Sequence, residues 1–109
     1  NSKAIKEYKK IIKKDPSYTQ AYIQIGALYY NKYQDYRTAK EYFEKAYDNE
    51  MVLYGSTYYL DIPYYLGMIA VKERKKTDAM LYYMDLKSIY TYTSEDNKKK
   101  ADLLKAIRD

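Results

Sequence analysis

The chain has 109 residues, a formal net charge of +5 and no Cys or His. This length suits one small domain, and the missing residue types exclude disulfides, thiolate or imidazole metal sites, and cysteine or histidine catalysis. Eighteen Tyr, one Phe and no Trp supply much of the apolar area.

Residues 3–14 carry Ala4, Ile5, Tyr8, Ile11 and Ile12 on one helical stripe with lysines opposite. Lys13 and Lys14 fall in the last turn, where cations complement the helix dipole, and Asp15-Pro16 stops the helix. Ser17 is the expected N-cap of a second helix over residues 18–33, with Gln20 completing a capping box. Tyr22, Ile25, Leu28 and Tyr29 recur there at three- and four-residue steps. Gly26 sits inside that stripe, and a helical glycine costs about 1 kcal/mol relative to alanine, so a close approach by Ala39 and its neighbours on the next helix is expected.

Gln34-Asp35 reads as the turn, with Asp35 capping a third helix that carries Tyr36, Ala39, Tyr42, Phe43, Ala46 and Tyr47 on one side. Met51 to Tyr54 extends it until Gly55 ends it in a left-handed cap. The fourth helix is expected to start between Thr57 and Asp61, because Pro63 is tolerated only in a first turn or at a kink. It continues through Leu66, Gly67, Ile69, Ala70 and Val71 to about Arg74, with Asp61 as its cap. After a polar turn at 75–77, a fifth helix holds Ala79, Met80, Tyr83, Leu86, Lys87 and Tyr90. Ser94 is the expected cap of the last helix, whose apolar face is Ala101, Leu103, Leu104 and Ile107, and the run Lys98-Lys99-Lys100 reads as solvated. No alternating strand pattern occurs, so the class is all-α, with short loops joining antiparallel neighbours.

The hairpin repeats. Tyr22-x-x-Ile25-Gly26-x-x-Tyr29 followed by Ala39-x-x-x-Phe43 has a second copy in Pro63-x-x-Leu66-Gly67-x-x-Ala70 followed by Ala79-x-x-x-Tyr83. A half copy, Ala4-x-x-x-Tyr8 then Pro16, precedes both. These residues resemble the tetratricopeptide repeat, whose signature is W-x2-L-G-x2-Y…A-x3-F…P with a period of 34. Ala4 to Ala39 spans 35 residues and Ala39 to Ala79 spans 40, most of the excess lying between Met51 and Ser56. Tyr22 and Pro63 stand at the Trp position, and Ala70 replaces the usual tyrosine. The resemblance covers about residues 4–90. It implies a single domain over 1–109: a half repeat at 3–15, full repeats at 18–48 and 57–92, and a capping helix at 94–109, stacked as a short right-handed superhelix.

For function, the resemblance implies a scaffold without catalysis, cofactor or metal, taking a peptide or protein partner on a concave face lined by the first helix of each hairpin. The residues off the packing stripe would line it: Gln20, Ile23, Ala27, Tyr30 and Asn31 in one copy, and Tyr64, Met68, Val71 and Lys72 in the other. Ile23, Ala27, Tyr64 and Met68 occupy the region where some family members place Lys and Asn to grip a C-terminal carboxylate, so an apolar or aromatic peptide, or a folded partner, fits better. Truncating Tyr30 and Tyr64 together is expected to abolish capture with little effect on melting. The alternative reading is self-association through an uncovered Ile5-Tyr8-Ile12 face, and the weakest is nucleic-acid binding by lysines and tyrosine stacking. Residues 1–14 do not read as a signal peptide, no run approaches the ~18 apolar residues of a membrane span, and the lack of an initiator Met suggests a fragment with further repeats upstream. Composition leaves the compartment open between cytoplasm and export.

Overall fold

A computed structural model describes residues 2–109. Among them are six helices and no strand: α1 (Ser2–Lys14), α2 (Thr19–Asn31), α3 (Tyr36–Tyr54), α4 (Asp61–Lys72), α5 (Lys76–Ser88) and α6 (Ser94–Arg108). The chain divides into two compact units, Asn1–Thr57 and Tyr58–Asp109.

In the first unit α1 packs on α2 and α2 packs on α3. The α1–α2 turn is held at Pro16, whose carbonyl accepts from the Tyr22 hydroxyl at 3.1 Å and from the Asn49 side-chain amide at 3.0 Å. Ser17 does not cap α2. Its backbone N–H and hydroxyl both turn back to the Asp15 carboxylate, at 3.1 and 2.6 Å, and Tyr18 occupies the cap position without a side-chain bond. Asp35 does cap α3, accepting from the Thr38 N–H at 3.1 Å, and Gly55 ends that helix at φ 73° with its N–H on the Met51 carbonyl.

The core of this unit includes Ala21, Ile25, Ala39, Phe43 and Ala46, all fully buried. The close neighbour of Gly26 is Phe43, one turn on from Ala39 in α3: a Cβ at position 26 would lie 2.8 Å from the Phe43 ring. The small residue therefore makes room for an aromatic ring on the facing helix. Tyr22, Tyr42, Tyr29 and Tyr33 form a chain of ring contacts, with Tyr29 and Tyr42 stacked at 5.9 Å. One polar side chain sits deep. Glu50, 2% exposed, accepts from the Thr19 and Thr57 hydroxyls, both at 3.0 Å.

In the second unit α4 pairs with α5, and α6 packs on both. Pro63 lies in the first turn of α4, where a missing N–H costs nothing. Asp61 is in that turn but does not cap it. Leu60 precedes the helix without a side-chain cap, and Asp61 accepts from Lys99 of α6 at 2.7 Å. Thr93 rather than Ser94 caps α6, accepting from the Asp96 N–H at 3.0 Å. The lysine run is not simply solvated. Lys100 donates to the Ile89 carbonyl at 2.6 Å, just past the end of α5, and Lys98 pairs with Asp102 at 3.0 Å. The face of α6 centres on Leu103, which is fully buried while Ala101 is exposed. Leu103 also explains Gly67, since a Cβ there would lie 2.6 Å from its Cδ2.

Candidate interaction surface

Each hairpin's first helix offers a row of residues opposite its packing stripe. On α2, Gln20 and Asn31 are exposed at the two ends, and Ala27 and Tyr30 between them are half-buried. Ile23 is only 2% exposed, so it has no surface to give a partner and belongs to the core. The Tyr30 ring lies edge-on to Tyr36 of α3, 5.0 Å between centroids. The row is thus a polar-ended strip with an aromatic edge, braced from behind by the next helix.

On α4, Tyr64, Met68 and Val71 are half-buried and Lys72 is exposed. Tyr64 is engaged on two sides: its ring meets Tyr65 edge-on at 5.1 Å, and the Lys99 ammonium lies 5.9 Å from its centroid. Burial first, then the Asp102 charge, pushes the Tyr64 phenol above its usual value. Burial alone would lower Lys99, but its bond to Asp61 and that acid's charge hold it above its ordinary value. Tyr30 and Tyr64 are therefore not free anchors. Truncating them removes this ring packing, so the double variant is expected to melt lower than the parent.

Two hollows lie near these residues. In the second unit a cavity of about 310 Å³ is bordered by Val71, Arg74, Ala79 and Ile107, among others. In the first unit an open groove of about 400 Å³ runs between α1 and α2, with Ile5, Tyr29 and Tyr33 as apolar walls and Lys6 and Lys9 at its rim. The stripe of α1 is less open than the sequence suggests. Ile5 is 7% exposed, Tyr8 and Ile12 are half-buried, and Ile11 is the residue left out at 39%.

Other large apolar side chains are exposed away from these rows. Met80, Leu81 and Met84 project from α5, and Val52, Leu53, Tyr54 and Tyr58 flank Gly55. Periodicity does not single these out, because apolar residues run continuously from Ala79 to Met84. That unbroken run, too wide for one buried stripe, is the signal that could have found them.

No helix among the described residues is long and apolar enough to cross a membrane, and no group of three or more acidic, His or Cys residues among them could hold a metal ion. No protein-family model matches the chain, and comparison with curated proteins and with solved structures gives no match.

Proposed function

We propose that this chain is a tetratricopeptide-like interaction module that binds a peptide or protein partner on the outer rows of α2 and α4, without catalysis or cofactor. The observation that carries the reading is a likeness between the first helices of the two hairpins. Each carries a glycine against a large buried side chain, Phe43 of the paired helix α3 at Gly26 and Leu103 of the last helix α6 at Gly67. Each also carries a mixed strip of exposed and half-buried residues: Gln20, Ala27, Tyr30 and Asn31 on α2, and Tyr64, Met68, Val71 and Lys72 on α4, where Tyr64 and Val71 border α6. Such strips suit an extended or helical ligand, with half-buried aromatics as rigid contacts and polar ends for orientation.

Self-association through α1 has less support, since Ile5 is already covered. Nucleic-acid binding draws on one fact: α1 carries six lysines against one glutamate, so the charge of the rest of the chain balances to zero. Lack of binding to single-stranded RNA or DNA at low salt removes that reading.

The test uses peptides selected on the parent chain from a display library. Gln20→Lys combined with Lys72→Glu changes only exposed positions, and is expected to weaken those peptides by about tenfold or more. Lys10→Glu on α1 leaves them unchanged. Peptides indifferent to the α2 and α4 changes overturn the assignment.

A further inference from the structure

α5 turns an exposed apolar face outward: Met80, Leu81 and Met84 are 50%, 57% and 63% exposed. At about 100° per residue, Leu81 and Met84 straddle the line opposite the fully buried Ala79 and Leu86. Thr77 and Ser88 continue that line at the two ends. The charges beside this strip are sorted. Asp78 and Asp85 lie along one flank, Lys76 and Lys87 along the other, and all four are exposed. None of the four side chains has an ion-pair partner among the described residues.

This sorting selects the occupant and its direction. A helix laid antiparallel in the same register sets like flanks together, acid to acid and lysine to lysine. A parallel copy sets the acidic flank of one helix against the basic flank of the other, with Asp78 near the height of the second copy's Lys76 and Asp85 near that of its Lys87. We infer that α5 is a self-association face, pairing with α5 of a second copy of this chain in a parallel two-fold arrangement. The strip supplies adaptable methionine and leucine packing, and the flanks supply direction. Three side chains of this exposure make an interface below the standard size, so the pairing is weak and concentration-dependent.

The experiment measures apparent mass by sedimentation equilibrium from about 20 μM to about 1 mM, the range in which a small interface registers. The parent is expected to rise toward twice its monomer mass. Asp78→Lys with Asp85→Lys stays monomeric, as does Lys76→Glu with Lys87→Glu, and an equimolar mixture of the two recovers the association. Leu81→Asp, at an exposed position, abolishes it without either charge set changing. Far-UV circular dichroism verifies that each variant is folded. Direction is read by cross-linking, for which the absence of native cysteine leaves a clean background. Thr77→Cys and Ser88→Cys each give a disulfide-linked dimer on mild oxidation, and their mixture favours 77–77 and 88–88 links over 77–88 links. A parent that remains monomeric at the highest concentration, charge variants that associate like the parent, or dominant 77–88 links overturns the proposal.

Discussion

Glu50 shows how much one residue can hold in a small unit. It sits four residues before the end of α3 and links the first residue of α2, Thr19, to Thr57 beyond the Gly55 cap. No buried side-chain polar atom among the described residues lacks a hydrogen-bond partner, so the carboxylate is accommodated rather than stranded. Glu50→Ala removes the acceptor from both threonine hydroxyls and leaves a void, and is expected to cost about 2–3 kcal/mol. Glu50→Gln keeps the shape and one carbonyl acceptor and costs less than half as much. Urea unfolding followed by circular dichroism measures both. Equal losses for the two would mean that the charge itself, not the hydrogen bonding, does the holding.

At the scale of helices, packing turns on what each glycine faces. Gly26 lies under the fully buried ring of Phe43, which is rigid, whereas Gly67 lies under the end of Leu103, which can rotate. Gly26→Ala must push the ring or the helix and is expected to lose about 1–3 kcal/mol. Gly67→Ala is expected to lose clearly less, because a Leu103 rotamer change relieves part of the clash and alanine favours the helix. Thermal melts of the two variants test this ranking, and a larger loss at Gly67 would contradict it.

The helices themselves were legible in the sequence because they depend on local pattern: apolar period, Asp35 three residues before Thr38, Gly55 past the last apolar residue. The errors arise where another partner wins, near in the chain or far from it. Ser17 is drawn to Asp15 rather than to the helix it precedes, and Asp61 and Lys99 meet across 38 positions. Glu50 gives no local sign of burial. For the candidate surface, sequence placed Gln20, Asn31 and Lys72 outside correctly. It could not see that Ile23 is covered, or that Tyr30 and Tyr64 lean on neighbouring rings.

The molecule as a whole is poised on the alkaline side. Burial first, then the Tyr42 and Asp15 charges, raises the Tyr22 phenol above its usual 10.0, and Tyr64 is raised in the same direction. Lys99 is held above its usual 10.5 by Asp61 against the opposing effect of burial. In each case folding favours the protonated form. The stability contributed is fully present below the unfolded value and is lost as pH rises through the folded one. The melting temperature is therefore expected to hold from neutrality to about pH 9 and to fall above about pH 10. Tyr64→Phe, which keeps the ring and removes the ionisable group, makes that fall shallower. A fall equally steep in Tyr64→Phe would place the titration elsewhere.

The rows of α2 and α4 are the proposed binding surface. Titrating a display-selected peptide into isotopically labelled protein and following its amide resonances tests this most directly. The largest shifts are expected at Gln20, Ala27, Tyr30 and Asn31 and at Tyr64, Met68, Val71 and Lys72, with α1 and the outer face of α5 little changed. Shifts concentrated on α1 or on the Met80–Met84 face, with the α2 and α4 rows silent, would contradict it.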